Sequence, residues 1–72
     1  MKIILSKHSK QRLSERKITM DELKDALDMP DYMINRGNKT EAVKRIKDKV
    51  LKVVYIKEDN FIKVITLMWR WW

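Results

Sequence analysis

Cysteine is absent from the 72-residue chain. Its absence excludes disulfides and thiolate zinc sites and fits a reducing compartment. A single histidine is too few for a histidine-based metal centre. One glycine and one proline leave no room for a linker or a low-complexity segment. They also exclude a P-loop, a dinucleotide-binding glycine motif and a nucleophile elbow. No apolar run approaches the ~18 residues of a membrane span. The run Ile3-Ile4-Leu5 is likewise too short for a signal peptide. The expectation is a cytoplasmic protein of one domain, residues 1–72, with no membrane, no metal and no cofactor. So short a chain buries only about 60% of the surface its unfolded form exposes. With no disulfide or metal to staple it, a partner or a second copy in a homodimer is the remaining support.

What is abundant is positive charge. Seventeen Lys and Arg against ten Asp and Glu give a net charge of +7. The charge is segregated: residues 1–17 carry six basic and one acidic group, residues 18–35 one and five, residues 36–72 ten and four. A basic domain with one acidic stretch suits a polyanion, above all nucleic acid. Lysine-rich surfaces also serve solubility alone.

The periodicities imply an α+β fold. Residues 1–5 are apolar and β-branched enough for a short N-terminal strand. Ser6 can cap a helix over residues 7–16, whose large apolar content is chiefly Leu13, with Ser9 and arginine stems filling a narrow stripe. Thr19 and Glu22 form a capping box for a second helix, with Ile18 and Leu23 as its hydrophobic staple. Pro30 ends that helix. The rest reads as a three- to four-stranded antiparallel β-meander over residues 31–35, 40–46, 50–57 and 61–69, with a turn at Gly37. Alternation assigns Leu51, Val53 and Tyr55 to one face and Val50, Val54 and Ile56 to the other. In the last strand it sets Phe61, Ile65, Leu67 and Trp69 against Ile62, Val64 and Met68.

His8, Arg12 and Arg16 stand four residues apart on the first helix and project from one face. Arginine offers a planar fork to phosphate, and histidine moves protons near neutral pH. Those are the two needs of metal-independent RNA cleavage. Three roles stay open for this trio: a catalytic site, an anion-binding site, or structural clamps on Glu15, Asp21 or strand ends. Lys7, Lys10, Arg45, Lys47 and Lys49 are candidate nucleic-acid contacts. Around the second hairpin, Arg45, Lys47 and Lys49 are expected to point one way and Lys44 and Lys52 the other. Tyr32 and Tyr55 suit stacking or a half-buried core. Trp69, Trp71 and Trp72 are expected to pack or to meet a partner or second subunit.

The segment His8-Ser9-Lys10-Gln11-Arg12-Leu13-Ser14-Glu15-Arg16-Lys17-Ile18-Thr19 resembles the opening of the uncharacterised "domain of unknown function 4258" family. That opening runs His-Ala-x-x-Arg-Met-x-x-Arg-Gly-Ile, then Ser or Thr. An acidic helix follows in the family, here residues 21–30, and strands like Leu51-Lys52-Val53-Val54 and Val64-Ile65-Thr66-Leu67 close it. The family looks like distant kin of the RelE/ParE-like toxins of toxin–antitoxin pairs. The resemblance implies a compact basic RelE-like domain, RNA-binding or an mRNA endonuclease, neutralised by an acidic, antitoxin-like protein. On it, His8 would be the acid/base and Arg12 and Arg16 would hold the scissile phosphate. The alternative is a non-catalytic module that binds nucleic acid or protein, or a structural dimer. Two departures stand out. Lys17 occupies the position where the family prefers glycine, which costs about 1 kcal/mol if that residue is left-handed. The C-terminal segment, where ribonucleolytic toxins often carry catalytic groups, has no histidine and only Arg70 as a charged candidate.

Overall fold

The computed structural model describes residues 2–71, and side chains of residues 2–70. The elements run β1 (Lys2–Leu5), α1 (Lys7–Glu15), α2 (Met20–Asp28), β2 (Tyr32–Arg36), β3 (Lys39–Ile46), β4 (Lys49–Lys57) and β5 (Phe61–Trp71).

Local chemistry accounts for the helices. Ser6 is extended at the N-cap of α1, and its Oγ accepts from the Ser9 N–H at 3.0 Å. Ser9 is fully buried, and its own hydroxyl donates to the Ser6 carbonyl at 2.9 Å. The helix ends at Arg16 in a left-handed turn, with Lys17 at φ +53°. Ile18 N–H donates to Leu13 O at 2.9 Å and Lys17 N–H to Ser14 O at 3.2 Å. That pair of bonds is the Schellman motif, closed by Ile18 and Leu13 in the core. So lysine occupies a backbone conformation that favours glycine. Thr19 and Glu22 make both bonds of the capping box, at 3.1 and 2.9 Å. α2 stops at Asp28, before Pro30.

The sheet has five strands in the order β1-β5-β4-β3-β2. β2 to β5 form the expected antiparallel meander, but β1 joins β5 in parallel, so the sheet is mixed. The parallel edge is a non-local choice: Ile3 finds Ile62 and Leu5 finds Val64 across almost the whole chain. α1 packs on β5 and β1, and α2 on β3 and β4. Between these helices and one sheet face lie Ile18, Leu23, Ala26, Ala42, Leu51 and Leu67, with Val53, Tyr55 and Val64.

The last strand departs from simple alternation. Val54 pairs with Thr66 but Tyr55 pairs with Val64, so Ile65 is an extra residue in a β-bulge. The bulge reverses the faces assigned to the first half of β5. Val64 and Ile62 turn into the core with Leu67 and Trp69, whereas alternation had set them opposite.

Candidate functional site

α1 was expected to present His8, Arg12 and Arg16 together, and the structure divides them. His8 is exposed, and its Nε2 accepts from Arg12 Nε at 3.3 Å. Arg12 Nη1 pairs with Glu15 at 2.8 Å, and Gln11 Nε2 donates to the same carboxylate at 3.2 Å. Arg16 turns inward instead. Its Nη1 donates to the Leu67 carbonyl at 2.7 Å, and the Trp69 indole N–H returns a bond to the Arg16 carbonyl at 2.8 Å. The cause is rotation: each four-residue step drifts about 40° around the axis, so the third residue sits about 80° from the first. Arg16 is also the C-cap, where the backbone leaves the helix. Of the three roles read from the spacing, Arg16 is the clamp on a strand. It satisfies a carbonyl of β5 beyond the end of short β1, as Ser6 does with its N–H on Val64 O. His8 and Arg12 keep a solvent side, and Lys7 and Lys10 are exposed around the helix from them.

The basic hairpin is rearranged from expectation. Arg45 pairs with Val50 on the face away from the helices, while Lys49 lies over the Trp69 ring on the helix side, 4.7 Å from its centroid. Lys44 reaches the Met29 carbonyl at 3.0 Å on the helix side, and Lys52 faces the other way. Lys47 sits in the turn between them, with φ +60°. The expected grouping of Arg45, Lys47 and Lys49 on one side therefore fails, because both strands turn over at that two-residue loop.

Lys52 belongs to a constellation that the sequence did not advertise. On the sheet face without helices, Glu41 is buried and holds Lys52 Nζ at 3.0 Å and Arg36 Nε at 2.6 Å. The Lys52 hydrogen bond, aided by Arg36 and opposed by desolvation, holds the Glu41 carboxyl below its ordinary value. Only the β2–β3–β4 register brings the three together, since Glu41 sits opposite Ile34 and Val54. The sequence carried one faint signal, an acidic residue inside an otherwise basic strand.

Trp69, expected to pack or to meet a partner, is half-buried, and its indole N–H is bonded within the chain. Trp72 and the side chain of Trp71 lie outside the described residues. Among the described residues no cluster of His, Cys, Asp and Glu could hold a metal. No described helix is long and apolar enough to cross a membrane.

Two helices over one face of a five-stranded mixed sheet, with cations on the outer helix and on the other face, define a small basic α+β domain. The chain belongs to the family described as Domain of unknown function (DUF4258), whose model matches residues 5–69. No curated protein and no solved structure matches it.

Proposed function

We propose that this domain binds RNA in the manner of a RelE-like, toxin-type module and is neutralised by an acidic protein partner. The observation that carries this reading is the positive charge around α1, where His8 meets Arg12 on one side and exposed Lys7 and Lys10 lie around the helix from that pair. The first seventeen residues alone hold six basic groups against one acidic. Such a cluster suits the phosphates of a flexible single strand, and Arg12 can exchange Glu15 for a phosphate because that ion pair is open to water. Arg16 serves as a positioning residue, tying the helix to β5 through Leu67.

The test is binding of labelled single-stranded RNA by the full chain across a salt series. Affinity should fall with salt, with a log–log slope smaller by ~0.7 for each phosphate contact removed. Lys7→Ala combined with Lys10→Ala should flatten it. Salt-independent binding, or none, would sink the reading.

Cleavage is a second reading, favoured by one observation. His8 is exposed and its Nε2 lies 3.3 Å from Arg12 Nε, so an imidazole and a phosphate-binding cation share one surface. In that role Nε2 would take the proton from a ribose 2′-hydroxyl as its oxygen bonds to phosphorus. The 5′-oxygen would leave and take a proton from water, while Arg12, released from Nε2, would neutralise the pentavalent phosphate. Cleavage in EDTA that disappears in His8→Ala while binding persists would support it. No cleavage by the wild-type chain would remove it and leave the binding module.

A further inference from the structure

The sheet face away from the helices is not flat. Side chains from β2, β3, β4 and β5 enclose a pocket of about 210 Å³. Tyr32 stands at one side, more than half exposed. Val43 and Val50 contribute an apolar floor, and the Glu41 carboxylate lies among the lining groups with Arg36 and Lys52 bound to it. Arg70 closes the other side from β5. Register explains the assembly. Tyr32 is opposite Val43, Val43 opposite Lys52, and Val50 opposite Arg70. One exposed aromatic ring and one arginine therefore face each other across two intervening strands.

Each part has a definite chemistry. Three cations line the pocket against one carboxylate, and each oxygen of that carboxylate is engaged, one by Arg36 and one by Lys52. Among the described residues Arg70 makes no ion pair. Arg36 binds Glu41 through Nε, so its two terminal nitrogens remain to donate elsewhere. An anion entering here meets fixed positive charge whose direction Glu41 sets. An uncovered tyrosine ring beside aliphatic side chains accepts the flat face of a base. The volume is below the several hundred Å³ of drug-sized sites, so it admits one small unit with its continuation in solvent.

We propose that this pocket binds one nucleoside monophosphate unit, with the base against Tyr32 and the phosphate at Arg70. The same chemistry is offered by a free nucleotide and by one residue of an RNA strand. The strand form rests on the RNA-binding reading above; the free-nucleotide form does not.

The test is an NMR titration of the full chain, following backbone amides of β3 and β4, with uridine 5′-monophosphate, ribose 5-phosphate, uridine and a five-nucleotide RNA. The monophosphate should bind more tightly than either fragment and shift the amides of Val43 and Val50. Tyr32→Ala and Arg70→Gln should each weaken it about tenfold or more, while Tyr32→Phe keeps the affinity. Lys24→Ala, on the exposed side of α2, should leave it unchanged. Both weakening positions are exposed, and circular dichroism checks that the variants fold. Monophosphate binding that survives both variants, or shifts confined to α1, would overturn the pocket. So would the absence of any binding. RNA binding lost only in α1 variants, with the pocket variants indifferent, would overturn the strand form and leave the RNA reading standing. Monophosphate binding at the pocket without RNA binding would keep the pocket and sink the RNA reading.

Discussion

The two faces of the β4 strand are built from similar sequence but do different work. On the helix side Leu51, Val53 and Tyr55 are buried, with Leu51 and Val53 at 0% exposure. On the other side Val50, Lys52, Val54 and Ile56 are only half-buried, with no helix over them. One side is held by close packing, the other by a carboxylate shared between two cations. The contrast teaches that burial on a sheet comes from what covers it, since strand alternation alone is blind to cover.

Six substitutions probe this contrast. The largest effect belongs to the packed face. Leu51→Ala should lower stability by about 2–5 kcal/mol in urea melts, whereas Val54→Ala on the uncovered face should cost clearly less. If the two costs are equal, the faces are not different in kind.

Next comes the charged side. Glu41→Gln should lower the urea midpoint at pH 7, by less than Leu51→Ala, by leaving Arg36 and Lys52 without their counter-charge. The sign with pH follows from the lowered Glu41 value. Folding favours the charged carboxylate, so its stabilisation is fully present above the ordinary value of 4.5 and is lost as pH falls through the depressed folded value. Acid melts of Glu41→Gln should therefore lose less stability between pH 6 and pH 3 than the wild type, on the order of those carboxylate titration limits. A wild-type and variant loss of equal size would deny Glu41 this role.

A smaller difference separates the two arginines of α1. Arg16→Gln should cost about 1–3 kcal/mol, because it strips a charged donor from the Leu67 carbonyl. Arg12→Gln should cost at most about 0.5 kcal/mol, because its bond to Glu15 is water-exposed. Paired thermal melts measure both, and a reversed order would show that α1 is not tied to β5 by Arg16.

The smallest change is a gain. Lys17→Gly should stabilise by up to about 1 kcal/mol, since φ +53° strains a side-chain-bearing residue while glycine adopts it freely. Added freedom of the unfolded chain offsets part of that gain. A melting temperature that does not rise would mean the left-handed turn is relaxed with lysine in place.

Much of the scaffold was legible before any tertiary contact was known. Ser6, the Thr19–Glu22 box, Pro30 and Gly37 act over three or four residues, so both helices and the first hairpin turn stood close to their observed places. The alternation of β4 was equally plain, because the strand is regular throughout. The site was much less legible. His8 and Arg12 were correctly paired by helical spacing, but the fate of Arg16 depended on Leu67, 51 residues away. The Glu41 constellation needed the register of three strands.

By itself, then, the sequence determined the α+β class, the order of elements, both helix caps and the segregation of charge. Each follows from local hydrogen bonding, periodicity or composition. Only the tertiary structure decided the parallel seat of β1 beside β5, the bulge at Ile65 and the inward turn of Arg16. It also set Arg45 and Lys49 on opposite faces and gathered Tyr32, Glu41, Lys52 and Arg70 around one pocket. Strand partner and register are set by burying apolar side chains and satisfying backbone groups across dozens of residues. One inserted residue reverses every face beyond it.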